Sequence, residues 1–162
     1  MKKKLKKIWK DYLAKNMETI KLNQFADIFS GFAFSTDDMK EIGTPILKIG
    51  NIVGDGTLSL LTDSFYPYEI TKKLDKFYLK NTDYLVCMTG ATIGKIGRDI
   101  SVSEKSYLVN QRVGIIRPYN NIENDYLYYL LSLKDFRKYI ELVGSGAAQA
   151  NISAKNIGKF KL

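Results

Sequence analysis

The sequence predicts an α+β fold: a twisted, mainly antiparallel sheet flanked by helices, in one globular domain preceded by an amphipathic helix. Three observations predict it. The apolar patterns run helix, several short strands, helix pair, short helix, without the strand–helix alternation that builds a parallel sheet. The chain has 162 residues, 45% of them hydrophobic, enough for one domain with a real core. Turn signals such as Gly54-Asp55-Gly56 punctuate the apolar runs at strand-like spacing.

Taken in order, Leu5, Ile8, Trp9, Tyr12 and Leu13 recur at i, i+3, i+4, i+7 and i+8, the apolar stripe of a helix within residues 1–18. Lysines occupy its other face. One stripe needs a cover, so docking on its own domain or on a partner helix is expected; a basic arm near nucleic acid and a helix lying on a membrane surface are the alternatives. Residues 19–162 form the remaining domain. Asn23–Phe29 reads as one or two helical turns stopped at Gly31. Pro45–Ile52 reads as a strand, Leu58–Tyr68 as strand then loop broken by Pro67, and Ile70–Leu79 is ambiguous. Asp83–Thr89 suits a buried strand, with Thr92–Gly97 as its hairpin partner across Gly90. Tyr107–Arg117 reads as a strand closed by Pro118. A helix capped by Asn124 or Asp125 runs through Leu133, and a restart at Asp135 runs to Val143, with Gly144 and Gly146 as stop residues. Ser153 caps a last short helix over Ala154–Ile157.

Composition removes whole classes of chemistry. There is no histidine, so no Ser-His-Asp triad, no Cys-His pair and no His-ligated zinc. The one cysteine, Cys87, lies in an apolar run and reads as a buried thiol; it fits a reducing cytoplasm. No metal site and no catalytic residue is expected. There is no run of 18 apolar residues to cross a membrane, and no apolar segment follows the basic start MKKKLKKIWK to make it a signal peptide.

The net charge of +8 is unevenly placed: residues 1–21 hold eight Lys against Asp11 and Glu18, a net +6, and the rest carries 17 basic and 15 acidic side chains, a net +2. A basic chain alone is therefore weak evidence for nucleic-acid binding. What remains is local: one cluster of Lys72, Lys73, Lys76 and Lys80, and a looser one of Lys95, Arg98, Lys105, Arg112 and Arg117. Tyr66 and Tyr68, two of eleven tyrosines, flank the first, and aromatics interleaved with lysine suit a nucleic-acid surface or any other interface.

Three motifs carry the remaining information. Thr89–Gly97, TGATIGKIG, resembles a phosphate loop but has three residues rather than four between Gly90 and Gly94, and Ile96 follows Lys95. It reads as a Gly-rich turn, with Lys95 able to meet a phosphate. Asn110-Gln111-Arg112 interrupts an apolar strand, either to tie down a neighbouring loop or to meet bases through amides, which pair bidentately with adenine. Gly144–Ser153, GSGAAQANIS, carries no charge and no ring, so it serves close backbone approach, and Gln149, Asn151 and Ser153 are placed to satisfy backbone groups.

Six phrases then stand in a familiar order: FSGFAF (29–34), GTPILKIGNI (43–52), DYLVCMTGATIGKIG (83–97), LVNQRVGIIRP (108–118), NDYLYYLLSL (124–133) and GSGAAQANISAKNIGKF (144–160). Over roughly residues 20–162 this series resembles the target recognition domain of the specificity subunit of Type I restriction-modification enzymes. The resemblance implies a non-catalytic module that reads one half of a split double-stranded DNA target. It implies methyltransferase partner subunits that carry S-adenosylmethionine and modify adenine, a restriction subunit that may join them, and a second recognition half or self-association. No cofactor is then expected on this chain. Such domains usually continue into a Pro-containing turn and a long spacer helix, whereas this sequence stops at Leu162, as either a fragment or a half-subunit would.

The resemblance also sorts the residues. Members read different targets yet share these phrases, so Gly90, Gly94, Asn110, Gln111, Gly144, Gly146, Gln149, Asn151 and Ser153 are expected as scaffold. Lys95 and Arg112 are phosphate candidates. Base reading falls to the segments between, Gly56–Lys80 and Arg98–Ser106, with Tyr66, Tyr68, Lys72, Lys73, Lys76, Arg98 and Lys105 as candidates. A protein-interaction half-subunit that dimerises or docks methyltransferase, through Leu5, Ile8, Trp9, Tyr12 and Leu13, is the alternative.

Overall fold

The computed structural model describes residues 20–54, 56–103, 105–119, 124–146 and 150–161. The expected helix within 1–18, with its five docking residues, and Gln149 lie outside the described residues.

Among the described residues, eight strands make two sheets. β1 (Ala26–Ser30), β3 (Gly56–Thr57), β5 (Tyr84–Cys87), β6 (Ile96–Arg98) and β8 (Val113–Pro118) form a five-stranded sheet in the order β1-β8-β5-β6-β3. β2 (Thr44–Leu47), β4 (Phe65–Tyr66) and β7 (Leu108–Val109) form a second in the order β4-β2-β7. Pairing is antiparallel except at β3–β6 and β2–β7. Four helices complete the described chain: α1 (Tyr68–Thr71), α2 (Asn124–Ser132), α3 (Lys134–Gly144) and α4 (Ala154–Ile157). This is the α+β architecture expected of the sequence.

The apolar run Tyr84–Cys87 sets the layering. Side chains alternate across a strand, so Tyr84 and Val86 face one side of β5, where they join Ile116 and the buried Leu127, Leu131, Phe136, Ile140 and Ile157 of the three later helices. Leu85 and Cys87 face the other side, with Val113, Ile115, Leu47, Leu79 and Val109. All four β5 residues are buried because a layer covers each face, which is why the run is continuous rather than alternating. The Cys87 thiol sits in this second core, and burial pushes its pKa up, partly offset by Thr92, Lys95 and Arg137.

Several elements differ from the sequence reading. Asn23–Phe29 is not helical beyond a 3-10 turn at Leu22–Gln24; Ala26–Ser30 is a strand in register with β8, Ala26 opposite Pro118 and Ser30 opposite Gly114. β8 carries a free ladder edge there, and pairing it outweighs a marginal local helix preference. Tyr107–Arg117 is two strands in different sheets. The chain turns at Asn110–Arg112, where Val113 N–H donates to Asn110 O at 2.9 Å and Arg112 N–H donates to the Asn110 Oδ1 at 3.1 Å. The strand at Pro45–Ile52 ends at Leu47, and a 3-10 turn at Ile49–Asn51 follows. Asn51 accounts for that turn: its Oδ1 accepts from Lys48 N–H, and its Nδ2 donates to the carbonyls of Ser59 and Leu61, all at 2.8 Å. Leu58–Tyr68, read as strand then loop, instead carries its strand at the far end, β4 just before Pro67, and the ambiguous Ile70–Leu79 resolves into the end of α1 and a 3-10 turn at Asp75–Phe77.

The helix pair falls where the sequence places it, with α3 ending at Gly144, one residue past Val143. The hairpin partner of β5 forms, but later than Thr92–Gly97: Gly90–Thr92 is a 3-10 turn and β6 begins only at Ile96. Ser153 caps α4, its Oγ accepting from Asn156 N–H at 3.2 Å. Ser153→Ala should cost about 1 kcal/mol of stability; urea unfolding checks it, and an unchanged midpoint would assign the helix start to packing alone.

Candidate nucleic-acid interface

An open cleft of about 610 Å³ lies between the start of β2, α1 and the segment Ser101–Tyr107. α1 is fastened from below. Thr71 is 2% exposed; its hydroxyl donates to Tyr68 O at 2.9 Å and lies 3.1 Å from the Thr44 hydroxyl. A four-residue helix has little stability of its own, so this buried contact fixes which face turns outward. Tyr68, 57% exposed, and Lys72 then line the cleft. The opposite wall carries Ser101, Ser103, Ser106 and Lys105. Lys105 has φ +56°, a left-handed backbone, and its Nζ pairs with Asp75 at 2.9 Å. Both side chains are about two-thirds exposed (66% and 67%), so the pair is screened and easily exchanged for another anion.

The cleft therefore unites three base-reading candidates, Tyr68, Lys72 and Lys105, from segments more than 30 residues apart in sequence. Lys73 is exposed beside Lys72. The other three point elsewhere. Tyr66 is 3% exposed and its hydroxyl donates to Asp38 Oδ2 at 2.9 Å. Burial and that carboxylate raise its pKa, and its ring packs on Phe34 in the core of the small sheet. A ring so enclosed meets a base only if that core opens. Lys76 Nζ stands 4.6 Å from the centre of the Phe29 ring. Arg98 is held among Tyr84, Tyr128 and Asp125: Nη1 donates to the Tyr84 hydroxyl at 3.2 Å, Nη2 pairs with Asp125 at 3.1 Å, and the guanidinium lies 5.6 and 5.3 Å from the two rings. Burial raises the Tyr84 pKa, with Arg98 acting against it.

The phosphate candidates lie apart. Arg112 is exposed on the turn between β7 and β8. Lys95 is half-buried on the β5–β6 turn. The residues expected as scaffold meet one another there: Gly90 N–H donates to Ala150 O at 2.9 Å, Ile152 N–H to Met88 O at 2.9 Å, and Asn151 N–H to Gly144 O at 3.0 Å. Gly90 and Gly94 adopt φ of +75° and +78°, which favours glycine. A Cβ on Gly144 would stand 2.6 Å from Ile93, so the helix end and the turn approach closely; nothing lies within 4 Å of one on Gly146. Asn151 acts through its main chain, its residue being exposed. Asn110 and Gln111 serve the turn that receives the FSGF segment: Asn110 N–H donates to Leu47 O and Gln111 N–H to Phe32 O, both at 2.9 Å.

Two residues outside the candidate set hold the fold around the site. Arg117 pairs with the wholly buried Asp83 through two contacts, 2.8 Å at Nε and 2.7 Å at Nη2, and its Nη2 also donates to Tyr78 O at 2.8 Å, at the base of the cleft. No local signal marks them, since the pair is 34 residues apart in sequence. Among the described residues, no three His, Cys, Asp or Glu are grouped to hold a metal ion, and no helix is long and apolar enough to cross a membrane.

Comparison with known proteins places this arrangement. The chain is 32% identical over 154 residues to the Type I restriction enzyme MjaVIII specificity subunit of Methanocaldococcus jannaschii, covering 93% of this chain and 36% of that protein. Its fold is similar to the Type I restriction-modification S subunit from M. genitalium (TM-score 0.57, 20% identity, 96% of this chain and 36% of that one). It is similar also to the HsdS subunit from Thermoanaerobacter tengcongensis (TM-score 0.57, 17% identity, 89% and 32%). A chain from a structural study of complex assembly and conformational transition of the type I R-M system matches with TM-score 0.61 at 16% identity, over 90% of this chain and 33% of that one. The chain thus spans about a third of the length of these relatives. Residues 14–162 match the family model for the Type I restriction modification DNA specificity domain, and the chain belongs to that family.

Proposed function

We propose that this domain binds double-stranded DNA and reads one half of a split target, directing adenine methylation and restriction by partner subunits. In this reading the chain performs no catalysis and carries no cofactor. S-adenosylmethionine is bound by the methyltransferase partner, and a second recognition half supplies the other part of the target. The work is done in the cytoplasm. Residues 19–162 are the reading domain, and residues 1–18 are a helix that docks.

The observation that carries the reading is the convergence of Tyr68, Lys72 and Lys105 on one cleft in a chain of this family. Lysines there would supply salt-dependent affinity, while Tyr68 and the serines would face base edges. The remaining charge outside residues 1–21 is only +2, so the isolated chain should bind weakly.

Fluorescence anisotropy with duplexes, in the presence of the methyltransferase subunits, tests it. Lys72→Ala with Lys105→Ala should weaken binding about 10-fold and make the salt dependence shallower by ~1–2 in log–log slope. Tyr68→Ala should narrow the gap between cognate and scrambled duplexes. Absence of binding to the cognate duplex by the complete assembly would sink the proposal.

A further inference from the structure

A second cavity, of about 350 Å³, opens where the β5–β6 turn meets the junction of α2 and α3. Three cations line it, Lys95 from the turn and Lys134 and Arg137 from α3, and no carboxylate is among its described lining residues. Three like charges around one hollow repel each other unless an anion is shared among them. Among the described residues, Glu141 accepts from Arg137 Nε at 2.8 Å. A guanidinium has five donors, so that bond leaves the terminal nitrogens for a planar, bidentate contact.

The backbone around these cations is glycine. Gly54, Gly56 and Gly94 line the cavity with φ of +111°, +94° and +78°. A Cβ at Gly54 would lie 3.3 Å from Lys95 Nζ, and one at Gly56 would lie 1.8 Å from the Tyr128 hydroxyl. Side chains at these positions would crowd the lysine and the tyrosine that border the hollow. Lys95 itself is set by its main chain, with Lys95 N–H donating to Thr92 O at 3.0 Å and its carbonyl accepting from Cys87 N–H at 2.9 Å.

The cavity is not isolated. Gly56 and Tyr128 also line a neighbouring hollow that continues past Thr57 and Arg98 to Ile100, where Asp99 and Asp125 border it and Asp125 pairs with Arg98 at 3.1 Å. The next residue, Ser101, lines the Tyr68–Lys72–Lys105 cleft. The cationic points are therefore discrete, three cations in this cavity and Lys72 with Lys105 in the cleft, and two separated points suit an extended polyanion better than a small free anion.

We propose that Lys95, Lys134 and Arg137 seat a phosphodiester group of the DNA backbone, at one end of a contact that continues into the cleft. The proposal rests on the DNA-binding reading above and deepens it. A backbone phosphate contact fixes position and orientation without reading sequence, so this cavity would set the register in which the cleft meets its bases.

The test uses the full chain and a labelled mixed-sequence duplex, titrated across salt concentrations. The variant carrying Lys95→Gln, Lys134→Gln and Arg137→Gln should bind about 10-fold more weakly at low salt, with a log–log salt slope shallower by ~1 or more, equally for all sequences. Lys95→Arg should keep the wild-type slope. A control carrying Lys155→Gln, Lys159→Gln and Lys161→Gln removes the same charge elsewhere and should lose less. Thermal melts certify that each variant is folded, and the exposed Lys134→Gln alone should already move the slope in the same direction. Equal slopes for cavity variant and wild type, or equal losses in cavity variant and control, overturn the phosphate seat while leaving DNA binding standing. Stabilisation of the wild type by inorganic phosphate with duplex affinity unchanged in the variant overturns it in favour of a free anion. No duplex binding by the wild type, alone or with methyltransferase subunits, removes both readings together.

Discussion

Arg117→Ala should lower the unfolding free energy by about 3–5 kcal/mol, the cost of leaving a buried charge without its partner. The Asp83 side chain is 0% exposed, and Arg117 supplies two of its contacts, at 2.8 and 2.7 Å. With Arg117 gone, the carboxylate keeps the Lys80 N–H that donates to its Oδ2 at 2.9 Å, one neutral donor for a full charge. The substitution also strips donors from the carbonyls of Lys76 and Tyr78, at 3.2 and 2.8 Å, and removes a guanidinium 5.2 Å from the Phe29 ring. The effect should appear in urea unfolding as a shifted midpoint at unchanged slope. Asp83→Leu together with Arg117→Met should recover most of the loss, because it is the orphaned charge rather than the missing attraction that is costly. A loss below about 1 kcal/mol for Arg117→Ala would place the pair among screened surface contacts and refute the argument.

Gly31→Ala should cost about 3 kcal/mol, the upper range for forcing atoms into a packed interior. A Cβ there would meet Val109 O at 2.2 Å and Asn110 O at 2.5 Å, and both are backbone atoms that no rotamer change can move. The crossing they belong to is tightly bonded: Gly31 N–H donates to Val113 O at 2.9 Å and Phe32 N–H to Val109 O at 2.8 Å. Separating the segments to admit a methyl group strains both bonds and the Gln111–Phe32 bond beside them. In a domain of this size the melting temperature should fall by about 6–12 °C. Gly146→Ala is the contrast, since nothing lies within 4 Å of its Cβ, and it should stay within about 0.5 kcal/mol of wild type. A neutral Gly31→Ala would mean the crossing is looser than these distances imply.

Where local chemistry decides, the sequence was legible. The β5–β6 hairpin follows from an apolar run ending in glycines, the α2–α3 pair from spacing, and the α4 start from a serine ahead of it. Where distant pairing decides, it was not. Phe25, Ile28 and Phe29 suggest helical turns, yet β8 draws Ala26–Ser30 into the sheet. LVNQRVGIIRP reads as one strand, and only the fold shows that its two ends serve different sheets.

The candidate interface divides in the same way. Tyr68 and Lys72 could be nominated from a lysine cluster beside aromatics, but Tyr66, two residues earlier, sits on a strand facing the core and is lost to it. Arg98 looked like a free cation because Tyr84, Tyr128 and Asp125 lie 14 to 30 residues away in sequence. The meeting of Lys72 with Lys105 depends on Thr44 and Thr71, whose contact spans 27 residues.

The side-chain tether at Asn51 has a consequence for how such a domain diversifies. Its amide holds the chain at the carbonyls of Ser59 and Leu61, while the Leu61 side chain is 88% exposed. Past Leu61 the chain is tied again at once: the Thr62 hydroxyl donates to Ile46 O at 2.9 Å, and Ile46 N–H donates to Ser64 O at 2.8 Å, just before β4 pairs with β2. A change of length there would carry Thr62 and Ser64 out of register with β2. Variation in this segment should therefore be accepted as a change of side chain at the outward-facing Leu61 rather than as an insertion.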